Sequence, residues 1–141
     1  MSSELRVDKI IPTDGVPTGG GGGVVQVKQF TLTNTANGGF LMSTSSSSFT
    51  ATPLLLAITP KFSTSKILIN VNTSSYNPGS GHTAYTIYRD STNIGGSTYG
   101  IADFTGSHNW RPFSMMFLDS PSTTSSVTYS VYGRTTNNTL Y

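Results

Sequence analysis

The chain has 141 residues, of which 43 are serine or threonine, only 14 are charged and none is cysteine. The lack of cysteine excludes disulfides, thiolate metal sites and thiol nucleophiles. The net charge of +2 rests on basic residues scattered along the chain, not on the clustered patch that nucleic-acid binding needs.

Residues 1–23 differ in composition from everything after them. Four apolar residues (Leu5, Val7, Ile10 and Ile11) lie among charged ones, and five consecutive glycines end the segment. A glycine run has great backbone freedom and makes a flexible joint. We therefore expect an N-terminal attachment peptide and Gly-rich joint over 1–23, followed by one domain over 24–141.

Targeting signals are not expected. The first residues lack the basic start and apolar run of a signal peptide. The longest apolar stretch, 54–58, is far below the roughly 18 residues that span a bilayer. The sequence therefore predicts no membrane insertion and synthesis in a cytosol.

The body of the chain alternates apolar and polar residues with a period of two, which is typical of strands with one buried face. Asp, Asn, Gly and Pro clusters between these runs indicate turns. A long Ser-rich loop or a short strand is expected over 34–50. The predicted strands are, in chain order, 24–32 (Val25, Val27, Phe30 and Leu32, with a bulge near Lys28), 53–59 covered on both faces, 66–73, 83–89, 95–101, 110–118 and 126–134. This spacing predicts an all-β antiparallel sandwich or jelly roll.

Catalytic and metal chemistry is sparse. The glycine run leads into a strand, without the helix and lysine of a phosphate-binding loop. His82, His108 and Asp103 are the only plausible metal or acid–base group, but their spacing is not that of a known ligand set. Asp90 and Asp119 stand at turn starts, where such side chains cap their own backbone. We expect no enzyme activity, no catalytic residue, no metal and no cofactor.

Trp110 is the only tryptophan, and its role has two interpretations. It could begin a strand and pack under the core, as large aromatic side chains mostly do. Alternatively, it could form a stacking platform for a sugar ring, with His108 and Asn109 as directional donors. Tyr76 and Tyr99 carry the same ambiguity.

Five short segments resemble small virion structural proteins of tailed bacteriophages. These are 65–69 (SKILI), 88–95 (YRDSTNIG), 118–121 (LDSP), 128–131 (TYSV) and the opening 5–10 (LRVDKI). The resemblance implies a trimer of jelly rolls around a three-fold axis, anchored to a larger particle by the N-terminal segment. It implies localisation in the virion, with assembly in the host cytoplasm.

The function expected from this resemblance is a short tail fibre that binds the host surface. A capsid decoration (cement) protein is the alternative, and a polysaccharide depolymerase is disfavoured by the few acidic residues. The expected partners are two further copies of the chain, other virion proteins of the tail, baseplate or capsid, and a host surface glycan or protein. Predicted particle-attachment residues are Leu5, Val7, Ile10 and Ile11. Predicted host contacts are Tyr76, Asn77, His82, Tyr99, Asp103, His108, Asn109 and Trp110. Predicted trimer-interface residues are Tyr85, Ile87, Tyr129 and Val131.

Overall fold

A computed structural model describes residues 24–33, 42–106 and 109–136 of the chain. Within these residues every regular element is a β-strand, and all strand pairs are antiparallel. The strands are β1 (Thr50–Ile58), β2 (Ile67–Asn77), β3 (His82–Arg89), β4 (Thr92–Asn93), β5 (Ala102–Thr105), β6 (Asn109–Asp119) and β7 (Val127–Thr135). The expectation of an all-β antiparallel fold is confirmed.

The strands form two sheets that enclose one core. The front sheet has the order β1-β7-β3, and β4 and β5 pair with the two ends of β3. The back sheet contains β2 and β6 alone among the described strands. The pairings are nested along the chain: the first strand, β1, pairs with the last, β7, and the second strand, β2, pairs with the second to last, β6. An eight-stranded jelly roll stays a prediction, since the described residues supply only two strands to the back sheet.

The period-two pattern explains which side chains enter the core. In β2, Ile67, Ile69 and Val71 face inward, and their partners across the back sheet are Asp119, Phe117 and Met115. The front sheet contributes buried residues of the same parity from β3 and β7. The fully packed centre consists of Tyr85, Ile87, Phe113, Met115, Val127, Tyr129 and Val131. Burial of these apolar surfaces is the main stabilising term.

The predicted trimer interface lies inside this core. Tyr85, Ile87, Tyr129 and Val131 are each no more than 6% exposed within the single subunit. Alternation shows that one face of a strand is apolar, but it does not show whether that face meets the subunit's own second sheet or another copy. The assignment of these four residues to a contact between subunits is therefore wrong.

Three predicted strands need correction. Residues 24–33 form no strand, and Val24 and Val27 are about four-fifths exposed, at 83% and 79%. The segment predicted over 53–59 belongs to β1, an edge strand that leaves Leu55 half exposed instead of covering both faces. Residues 95–101 make bends, and the strand begins only at Ala102.

The non-strand segment 94–101 instead crosses the outer face of the front sheet, where the carbonyl of Gly96 accepts from the hydroxyl of the buried Thr86 of β3. Gly100 permits this close approach, because it has a φ of +66° and a Cβ there would clash with the carbonyl oxygen of Tyr85. The Arg134 guanidinium donates to the carbonyl of Thr98 and fixes the segment against β7. The segment therefore acts as a cover for the front sheet.

Candidate binding surface

Most of the predicted host contacts gather at one end of the sandwich. β2 ends at Asn77, four residues separate it from the start of β3 at His82, and β6 begins at Asn109. The strand register pairs Tyr76 with Trp110, and Asn77 with Asn109. Residues that are far apart in the chain therefore share one end of the fold, which we call the aromatic end (Tyr76, His82, Tyr99, Asp103 and Trp110).

Tyr76 and Trp110 form a stacked pair on the outer face of the back sheet. Their ring centroids are 5.1 Å apart with an interplanar angle of 29°. Trp110 remains 58% exposed, so much of the indole is open to solvent while the pair restricts its orientation. Large exposed aromatic side chains held in place are common anchors of binding sites. The interpretation of Trp110 as a packed core residue is therefore wrong.

A second cluster lies at the same end on the front sheet. The Nδ1 atom of His82 is 3.1 Å from a carboxylate oxygen of Asp103, and the His82 ring lies 5.6 Å from the ring of Tyr99. The His82 and Asp103 side chains are 43% and 26% exposed, so this surface pair adds less than about 1 kcal/mol to stability. The described residues hold no group of three or more His, Cys, Asp or Glu side chains suited to a metal ion.

Asn77 is a structural residue and not a surface contact. Its side chain is 7% exposed, and Nδ2 donates to the hydroxyl oxygens of Thr83 at 2.6 Å and Thr135 at 3.4 Å. Its Oδ1 accepts the backbone N–H of Gly79 at 2.8 Å, which closes the turn. The predicted host contact at Asn77 is therefore wrong. A turn asparagine with a buried side chain cannot be told from an exposed one by sequence, because both satisfy the same local backbone.

A buried hydroxyl pair lies beneath the aromatic end. The Tyr85 phenol donates to the Ser75 hydroxyl at 2.8 Å, and its ring stacks on Phe113 at 4.5 Å between centroids. Burial raises the pKa of Tyr85 to about 12, against a smaller lowering by Ser75. Together with the Asn77 contacts, this network satisfies the polar groups under the surface and gives the aromatic end a rigid base.

The opposite end contains a buried charge cluster that the sequence analysis missed. The Arg89 Nη1 atom lies 3.0 and 2.9 Å from the two carboxylate oxygens of Asp119, and the Tyr129 hydroxyl donates to the same carboxylate at 2.6 Å. Burial raises the pKa of Tyr129, and the Asp119 carboxylate raises it further. Asp119 of β6 therefore links β3 and β7 through Arg89 and Tyr129, instead of capping its own turn. The sequence contained one indication of this role: Asp119 follows Met115 and Phe117 in the period-two alternation of β6, which places its side chain on the inward face.

Asp90 also differs from its predicted role. Its carboxylate accepts the backbone N–H of Thr128 at 2.9 Å, across to the start of β7, instead of capping its own turn. The predicted attachment residues Leu5, Val7, Ile10 and Ile11, together with His108, lie outside the described residues, and Asn109 is placed only by its strand register.

Comparisons with protein-family models, with curated proteins and with solved structures gave no match. The described part of the chain contains no helix long and apolar enough to cross a membrane. The described fold is a β-sandwich, and its aromatic end presents an exposed aromatic pair on a rigid base. Its function is inferred from that geometry and from the motifs in the sequence.

Proposed function

We propose that this chain is a bacteriophage virion protein, a homotrimeric short tail fibre that contacts a glycan on the host surface through Tyr76 and Trp110. The observation that carries the proposal is the exposed, stacked aromatic pair at one end of the sandwich. The polarisable face of an indole is suited to the apolar face of a sugar ring. Neighbouring Ser74 and Ser114 on the same outer face are polar and uncharged, which suits a neutral ligand.

Weak binding by one site is sufficient in this proposal. A shallow platform without a deep pocket gives low affinity, but three sites on a trimer and several trimers on a particle raise the effective affinity through multivalency. The stacking of Tyr76 on Trp110 limits the side-chain freedom that these two residues lose when the ligand binds. A binding function therefore requires no catalytic group.

The test is binding to an array of bacterial surface polysaccharides, with Trp110→Ala as the variant. The control is Thr124→Ala, because Thr124 is an exposed residue in the loop between β6 and β7, at the other end of the sandwich. Loss of a central aromatic anchor costs about 2 kcal/mol, which is roughly a 30-fold weaker binding. We expect that loss for Trp110→Ala and none for Thr124→Ala. Equal binding by both variants would contradict the proposed platform.

A separate assay distinguishes the tail fibre from a capsid decoration protein. Phage particles that carry Trp110→Ala should assemble normally and adsorb more slowly to host cells. Particles that adsorb normally but lose capsid stability when the protein is removed would support the decoration role instead.

A further inference from the structure

Among the described residues, one side of the sandwich is open. A groove of about 790 Å³ runs there between the edges of β1 and β2 that pair with no other described strand, because the two-stranded back sheet is narrower than the front sheet. Core residues Leu54, Ile69 and Val131 contribute to its wall, so the groove reaches the hydrophobic interior. The extended segment 24–30 lines the groove without forming a strand there.

This side also carries most of the exposed apolar surface. Among the described residues eleven large hydrophobic side chains are exposed, and seven of them line the groove. They include Val24, Val27, Phe30, Leu55, Phe62 and Leu68. Exposed Met116 and Leu118 continue the patch across the back sheet, where Leu118 pairs with Leu68. A contiguous apolar patch of this kind marks a protein–protein contact.

The charges and strand edges on the two sides of the subunit are complementary. Among the described residues, the charged ones that line the groove are Lys28, Lys61 and Lys66. The opposite edge of the front sheet, formed by β4 and β5, carries both exposed carboxylates of the described chain, Asp90 in the turn before β4 and Asp103 on β5. Among the described strands, β5 pairs only with β3 and β2 pairs only with β6, so each has one side without a described partner.

We propose that copies of this chain associate head to tail, with the groove of one copy against the β4–β5 edge of the next. The groove supplies apolar surface and lysines, and the edge supplies carboxylates and the outer side of β5, which pairs with no other described strand. A contact between different surfaces forms a ring when its rotation closes. The proposal rests on the homotrimer of the proposed function and names the surfaces that build it. Asp103 then acts between subunits and not as a host contact.

The experiment measures solution mass by light scattering for two variants, each disabling one surface. Leu68→Glu places a charge in the apolar patch, and Asp103→Lys places a cation where the neighbouring groove presents lysines. The control is Thr124→Glu, an exposed loop residue outside both surfaces. Circular dichroism establishes that each variant is folded. Phe62→Glu in the β1–β2 loop is a second groove variant, used if Leu68→Glu does not fold.

Head-to-tail association gives a distinctive outcome. The wild type and Thr124→Glu should have three times the 15.0 kDa subunit mass, and each disabling variant alone should have one subunit mass. An equimolar mixture of the two variants should form a dimer, because one intact groove and one intact edge remain in each pair. A monomeric wild type, an unaffected Asp103→Lys variant, or a mixture that stays monomeric would overturn the proposal. Glycan binding by the monomeric Leu68→Glu variant, whose substitution lies outside the aromatic end, would persist without multivalency, so failure of the ring and failure of the host contact are distinguishable.

Discussion

Replacing Asp119 by asparagine tests whether the buried charge cluster holds the two sheets together. The carboxylate joins β6 in the back sheet to Arg89 of β3 and Tyr129 of β7 in the front sheet. Asp119→Asn keeps the size and one acceptor oxygen, so the Tyr129 hydroxyl can still donate. It removes the negative charge that faces the Arg89 guanidinium, which is itself 29% exposed and therefore mostly desolvated.

The expected loss follows from the geometry. Removing one partner of a buried ion pair costs about 3–5 kcal/mol, and the retained Tyr129 hydrogen bond and the partial exposure of Arg89 reduce this to about 2–3 kcal/mol. Total stability of a domain is about 5–15 kcal/mol, so this is a large fraction. The assay is urea unfolding followed by circular dichroism at neutral pH, with Asp103→Asn as the matched control. The exposed Asp103–His82 pair should cost less than about 1 kcal/mol. Equal midpoints for Asp119→Asn and the wild type, or an equal loss in both variants, would refute the reasoning.

Three further predictions concern the core and the cover of the front sheet. The folded pKa of Tyr85, about 12, lies above the ordinary value of 10.0, so its stabilising contribution is complete below pH 10 and is lost as pH rises toward about 12. Unfolding free energy should fall by about 1.4 kcal/mol per pH unit in that range for this group, and Tyr85→Phe should fall less steeply in denaturant titrations. Gly100→Ala should lose at least about 2 kcal/mol because of its positive φ and the clash with the Tyr85 carbonyl, while Ser97→Ala in the same segment should unfold at the wild-type midpoint. Asn77→Ala should lose about 2 kcal/mol in thermal unfolding, because it leaves Gly79 and Thr83 without their partner; an unchanged melting temperature would contradict the buried role of Asn77.

The sequence was most informative where alternation and turn residues agreed. Alternation and turn residues together predicted the bounds of β3 and β7 to within a residue or two at either end. The alternation is informative because successive side chains of a strand point to opposite faces of the sheet. The alternation failed at 95–101, where the chain crosses the outer face of the front sheet without strand pairing. The pattern at Tyr85 and Tyr129 identified an apolar face correctly and assigned it to the wrong neighbour. Which surface covers an apolar face is a tertiary property that a single strand does not encode.

The aromatic end was only partly predictable for a related reason. Loop positions brought Tyr76 and Trp110 into one candidate set, since turns at the same end of a sandwich cluster together. Their stacking depends on the exact register of β2 and β6, which pairs these two residues across the sheet. Leu68 was visible as an apolar residue among the polar positions of its strand. Its membership of an exposed patch required the position of Leu118 on the neighbouring strand.

The most direct test of the proposed binding function is tryptophan fluorescence during titration with a bacterial surface polysaccharide. Trp110 is the only tryptophan, so its emission reports on the aromatic end alone. A sugar ring stacked on the exposed indole removes water from it and should shift the emission to shorter wavelength, with saturation at the same concentration as binding. Binding that saturates without any change in Trp110 emission would contradict the proposal.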